Sequence, residues 1–349
     1  MNQFGTALRL SIFGESHGAA LGCILDGLPA GFAPDLALIE YELKRRRPRT
    51  GTESTSRREC DNYRIISGFY NGCFTGAPFT VIFENADARS EDYSNNIARP
   101  SHADLVSFVK FSGANDPRGG GHSSGRLTLP IVFAGAIAKQ ILFNKGIVIA
   151  SHIASVGDIS DAPFYPCMTE FPELDPMFPL VDKSLKPDIE ILFESVRARG
   201  SSVGAVCECA ALGVPIGVGE PFFDGLESVI AHLVYSIPGV HALEFGAGFG
   251  FARLFGEQAN DAILPNKKTA TNRSGGINGG ISNGMPIIFK AGFRPVPSIA
   301  LEQESIDLDS GEKTTLKLGG RHDVCILPRG LAAVEACLAL ALYELISRK

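Results

Sequence analysis

The sequence predicts an α+β fold in which central helices are sandwiched between antiparallel β-sheets, and three observations carry that prediction. Residues 131–138 read Ile-Val-Phe-Ala-Gly-Ala-Ile-Ala, apolar on every side of a helix, so this helix belongs inside a core. A second helix, rich in Ala and Leu, closes the chain over 331–346. Between them strands and helices mix without a regular βαβ rhythm, and no G-x-G-x-x-G follows a strand, which argues against a dinucleotide-binding Rossmann domain.

Taken in order, strands are expected over 6–13 and 20–26. Pro34 and Asp35 start a helix whose Leu36, Ile39 and Leu43 share one face and whose basic end stops at Pro48. Strands follow over 63–69 and 78–84. Ser101 is placed to cap a helix running to about residue 111, with Asp104 favouring its positive end. The long apolar helix spans 124–144 and stops at Gly146. An amphipathic helix over 187–199 leads into an apolar strand over 203–212. Asp224 with Glu227 marks the cap of a helix reaching Tyr235, and strands recur over 242–246 and 286–292.

At 349 residues the chain admits one large domain or two to three ordinary ones, and no low-complexity linker or charge block divides it. A hydrophobic content of 45% against 20% charged residues suits a globular chain with a substantial core. The net charge of −6 argues against a general nucleic-acid surface. Against that background the basic run Lys44-Arg45-Arg46-Arg47-Pro48-Arg49 reads as a site for a small anion, or as cations suited to a helix C-terminus. The eight cysteines show no C-x-x-C spacing, and most lie among apolar neighbours. With no signal-like N-terminus and no uninterrupted apolar stretch of bilayer length, a cytoplasmic setting is expected.

Five segments carry chemistry. In Gly14-Glu15-Ser16-His17-Gly18 one imidazole sits where a strand runs out, able to exchange a proton near neutral pH. Arg99-Pro100-Ser101-His102-Ala103-Asp104 places a second histidine at a helix start beside an arginine, a setting that favours the neutral ring. Arg118-Gly119-Gly120-Gly121-His122-Ser123-Ser124-Gly125-Arg126 offers backbone N–H groups, hydroxyls and two guanidiniums to a phosphate or an anionic cofactor. The paired glycines of 275–284 permit a flat ligand to approach backbone, and Gly320-Arg321-His322-Asp323 sets a cation beside a carboxylate. Physical reasoning alone reaches a small phosphorylated or carboxylated substrate handled by acid–base histidines.

The same segments resemble those of the chorismate synthase family. The matching motifs, in the family's order, are GESHG at 14–18, RRRP at 45–48, RPSHAD at 99–104, GGGHSSGR at 119–126, GGINGGISNG at 275–284, RPVPSI at 294–299 and GRHD at 320–323. The resemblance covers nearly the whole chain and implies a single domain over 1–349, a homotetramer and reduced FMN as cofactor. It implies 1,4-anti elimination of phosphate from 5-enolpyruvylshikimate 3-phosphate to give chorismate, redox-neutral overall. NADPH enters only if the enzyme reduces its own flavin or relies on an external flavin reductase.

By matching position, His17 protonates the departing phosphate, His102 stabilises the anionic reduced flavin, and Asp323 takes part in proton removal. Arg46, Arg126 and Arg321 are the implied substrate contacts, with Arg49 and Arg118 beside them. The implied FMN contacts are His122, Ser123, Ser124, Gln258, Ala259, Gly280, Arg294, Pro295, Val296, Pro297, Ser298 and Arg321. Several positions depart from the family's usual residue. His122 and Thr52 stand for arginines, Arg294 for lysine, Ser101 for glycine and Val324 for proline. Arg294 keeps the charge but changes the hydrogen-bonding fork.

Overall fold

The computed structural model describes residues 2–48, 61–85, 96–319 and 323–348. Their helices are α1 (Leu36–Arg46), α2 (Asp104–Lys110), α3 (Thr128–Phe143), α4 (Lys186–Ala198), α5 (Leu226–Val234), the single turn α6 (Gly256–Ala259) and α7 (Leu327–Ser347). One five-stranded antiparallel sheet runs Gln3–Phe4, Arg9–Gly14, Ala20–Asp26, Phe79–Glu84, Tyr63–Ser67 across its width. The other runs Val240–Phe245, Ile287–Phe293, Ala205–Leu212, Val148–Val156, Ile159–Ser160, again antiparallel throughout. Helices α3 and α7 pack on each other between the sheets, α3 toward the first and α7 toward the second. The expected sandwich is the observed one.

The apolar sequence of α3 and α7 is what this position requires, since both are buried on nearly every face. The helical stretch Gly125–Phe143, which contains α3, and α7 are each long and apolar enough to cross a membrane by length and composition, yet most of each is buried within the fold. Gly135 of α3 lies against Ala336 of α7, where a Cβ would come 2.2 Å from the alanine Cβ, so the glycine sets how closely the helices approach.

Charge is buried here too. Glu335 of α7 receives both terminal nitrogens of Arg45 at 2.7 Å, Lys139 Nζ at 2.6 Å and the Ser151 hydroxyl at 2.6 Å. Glu42 closes the network through Arg45 at 2.8 Å and Lys139 at 2.6 Å. Burial opposes ionisation of Glu335, but the two cations outweigh it and hold the carboxyl well below the usual range.

Glu344 of α7 accepts from the backbone N–H groups of Thr6, Ala7 and Leu8 and so fastens the turn between the first two strands. Burial opposes its ionisation, but these bonds and Arg348 win, and its pKa falls from 4.5 to about 2. A depressed carboxyl stabilises the fold fully above its unfolded pKa and loses that contribution as pH falls toward its folded one. The stability difference between the native chain and Glu344→Gln is therefore expected to be largest near pH 6 and to shrink steadily between pH 4.5 and 2, as followed by urea unfolding.

On the second sheet Ala210, Leu212 and Ile288 alternate with core-facing neighbours and take Phe164 and Met168 onto the other face. His152 fastens that covering segment, its Nδ1 3.0 Å from Asp161 and its Nε2 2.9 Å from Glu208.

Several expected boundaries move: the strand expected from residue 6 begins at Arg9 and the helix expected from 124 begins at Thr128, after the turn Gly125–Leu127. Helix α2 begins at Asp104 behind Ala103 with no side-chain cap, because Ser101 lies in the left-handed region at φ 60° and cannot lead into a helix. Helix α5 starts behind Gly225, while Asp224 pairs with Arg348 at 3.2 Å instead of capping. Helix α7 begins four residues before the expected start, with Pro328 in its first turn, where a missing N–H costs nothing.

Candidate active site

His17 follows the strand Arg9–Gly14 and is buried. Facing it is the turn Arg118–Ser123, in which Gly119, Gly120 and Gly121 all have positive φ (63°, 98° and 52°). A Cβ on Gly119 would come 2.2 Å from His17 Cε1, and one on Gly120 would come 3.1 Å from His102 Cε1. Successive glycines thus separate the two imidazoles, and Gly121 accepts the Ser16 N–H at 3.0 Å to tie the turn to the His17 loop. Their absent side chains matter at least as much as the exposed N–H groups that the sequence emphasises.

His102 gives Nδ1 to Asp104 Oδ1 at 2.7 Å, and Asp104 also holds Arg99 through Nε at 2.7 Å and a terminal nitrogen at 2.8 Å. Burial opposes ionisation of Asp104, but the bonds from Arg99 and His102 hold it well below the usual carboxylate range. An ionised carboxylate only accepts, so Nδ1 carries the proton in this pair. The arginine expected to act on His102 directly acts instead through Asp104, and a carboxylate is the ring's nearest charged neighbour.

The RRRP run is divided between two destinations. Arg45 enters the core network, whereas Arg46 and Arg47 turn to Asp61, at 2.9 and 3.1 Å. Arg126 also reaches Asp61, from the turn ahead of α3, and Arg329 pairs with Asp323 at the start of α7. Burial, with Arg126 and Arg329 close by, pushes Arg46 down to about 10 against the pull of Asp61. Asn85 joins the two halves of the site, donating to Gly18 at 2.8 Å and Glu15 at 3.2 Å while accepting from Arg126 Nε at 3.4 Å. Arg118 is held by Asp116 in a two-point pair at 2.8 and 2.7 Å. Arg49, Thr52 and Arg321 lie outside the described residues.

The expected cofactor contacts fall into two groups. Arg294 donates to the Ser101 carbonyl at 2.7 Å and Ser298 lies 3.5 Å from Arg99, so 294–298 sit beside the His102 segment. His122, Ser123 and Gly120 line a cavity of about 840 Å³ with Phe13, Val106 and Phe111. His122 itself is engaged by the Gly14 carbonyl at 2.7 Å and Asn2 at 3.0 Å, a sheet-edge contact. Gly280 packs instead on Glu220 and Gly225, and its carbonyl accepts from Leu226 at 2.8 Å. Gln258 and Ala259 lie on α6, where Gln258 accepts from Phe255.

Sequence reasoning missed Asp61, Asn85 and Arg329. Only Arg329 left a signal, as a cation two residues into a helix whose Pro328 marks its start.

Comparison with known proteins agrees with this geometry. The chorismate synthase family model matches residues 8–346. A chorismate synthase of Chitinophaga pinensis is 43% identical, covering 99% of this chain and 96% of that protein. One of Parabacteroides distasonis is 42% identical over 99% and 97%. A crystal structure of chorismate synthase superposes with a TM-score of 0.75 at 26% identity, covering 98% of this chain and 92% of the other. With its two-histidine turn and arginine cluster in place along a match of nearly full length, the chain belongs to the chorismate synthase family.

Proposed function

We propose that His17, His102, Arg46 and Arg126 carry out the family's reaction here: 1,4-anti elimination of phosphate from 5-enolpyruvylshikimate 3-phosphate to give chorismate. The observation that carries this assignment is the glycine turn, which packs Gly119 on His17 and Gly120 on His102 next to buried guanidiniums. The substrate bears a phosphate and two carboxylates. The guanidiniums of Arg46, Arg47, Arg126 and Arg329 gather around the carboxylates of Asp61 and Asp323, a concentration of cations suited to such a ligand. His17 donates its proton to the leaving phosphate, which departs as a weaker base than it would unprotonated. Asp104 fixes the orientation of His102, and Asp323, held by Arg329, takes part in removing the C6 proton.

Reduced FMN is the family's cofactor, and the residues present fit it. Phe13, Val106 and Phe111 offer apolar surface beside the turn, and the buried Ser16 hydroxyl has no hydrogen-bond partner among the described residues. When bound, reduced FMN lends an electron transiently, so the elimination ends without net oxidation. Ser123, Ser124 and 294–298 would hold it near His102, with His122 and Arg321 as further contacts. Gly280, Gln258 and Ala259 would reach it from a second copy of the chain, in keeping with a homotetramer.

The whole chain acts as one domain, since one apolar core runs through both sheets and the helices between them. A cytoplasmic location fits the buried free thiols of Cys23, Cys207, Cys209 and Cys337. NADPH enters if the enzyme reduces its own flavin or through an external flavin reductase. The test is an anaerobic assay with chemically reduced FMN. Chorismate and phosphate are expected in equal amounts over many turnovers with no net consumption of reductant; stoichiometric loss of reductant would mark a hydride-transferring oxidoreductase instead.

A further inference from the structure

Asp61 has no part in the chemistry assigned above, yet its side chain is completely buried and three arginines converge on it. Arg46 and Arg47 share Oδ2, from the end of α1, and Arg126 takes Oδ1, from the turn preceding α3. Two buried guanidiniums placed side by side repel one another, and each loses hydration. One carboxylate between them offsets both costs and fixes which nitrogens remain for a ligand. Among the described residues, the buried Arg46 Nε has no hydrogen-bond partner, so the cluster is not saturated by Asp61.

We propose that Asp61 is a positioning residue whose bridging carboxylate sets Arg46 and Arg126 at the spacing that receives an oxyanion of the substrate. The proposal rests on the phosphate-elimination reading, and it makes the arginine pair specific. With Asp61 in place a small free anion gains little by wedging between the guanidiniums, because that position is already filled. The substrate is recognised instead by guanidinium nitrogen that Asp61 does not take, the buried Arg46 Nε first.

The test combines kinetics with thermal unfolding of Asp61→Asn and Asp61→Glu in the full-length enzyme. Asp61→Asn is expected to lower kcat/KM about a hundredfold through loss of alignment, carried mainly by KM, with affinity for FMN unchanged. Inorganic phosphate is expected to raise its Tm more than that of the native chain, by taking the place of the carboxylate. Asp61→Glu keeps the charge and should return the phosphate response to the native value while only partly restoring KM. A folded Asp61→Asn with kcat/KM within threefold of native, or with the same phosphate response, overturns the proposal. A variant that folds only with added phosphate supports it, and one that stays unfolded even then shows a purely structural role and overturns it. Should the native enzyme form no chorismate, the proposed function fails while the phosphate response still decides the role of Asp61.

Discussion

Glu335→Ala is expected to lower the unfolding free energy by about 3–5 kcal/mol, because it leaves buried cations without their counter-charge. Arg45 and Lys139 both end on this carboxylate, and Glu42 alone cannot neutralise the pair. Arg45 is buried and cannot simply turn to water, whereas the Lys139 side chain keeps 19% of its surface exposed, so Arg45 carries most of the cost. Glu335→Gln keeps the shape and one acceptor oxygen but not the charge, and should fall between the two. Ser151→Ala removes a single hydroxyl donor and should cost about 1 kcal/mol. Urea denaturation of the three variants gives the order directly. A loss below about 1 kcal/mol for Glu335→Ala would show that water reaches the network and that the burial argument is wrong.

That network also shows where reading the sequence stops. The helices α1, α3 and α7 are legible because each depends on its own residues: Asp35 accepts the N–H of Ala37 and Leu38 as a cap, and the apolar runs announce their burial. Most strands of both sheets are legible for the same reason, but Gln3–Phe4 of the first and Val148–Val156 and Ile159–Ser160 of the second are not among those expected. The partners of charged residues are not, because nothing local encodes a contact between Arg45 and Glu335, 290 positions apart. The run around Arg46 reads as one basic patch, although side chains one residue apart on a helix point about 100° apart and so end in different places. Ser101 is misread as a cap because its residue type suits one, whereas its φ of 60° explains why glycine is usual there. At the site, motifs mark His17, His102 and the glycine turn, while Asp61 and Asn85 stand among other polar residues and gain importance only from what the fold brings to them.

The clearest consequence of the two-histidine turn concerns catalysis. His17→Ala is expected to lower kcat about 10²- to 10⁴-fold, the usual contribution of a placed general acid, with folding and FMN affinity retained. His102→Ala should impair turnover as well, through the flavin side of the reaction. Gly119→Ala asks whether position matters as much as identity, because it leaves both imidazoles in the protein. Its new Cβ would lie 2.2 Å from His17 Cε1 on a backbone at φ 63°, so either the ring or the turn must shift. A displaced donor of about 1 Å costs on the order of a hundredfold, and the loss should appear in kcat. Gly120→Ala meets His102 at only 3.1 Å, so the ring need move little, but at φ 98° its side chain strains the backbone and the cost falls on the turn. Rates are measured anaerobically with chemically reduced FMN, so that flavin reduction cannot limit them. Undiminished turnover in both His17→Ala and His102→Ala would remove the imidazoles from the mechanism. A Gly119→Ala enzyme as fast as the native one would mean that His17 need not be held where the turn now holds it.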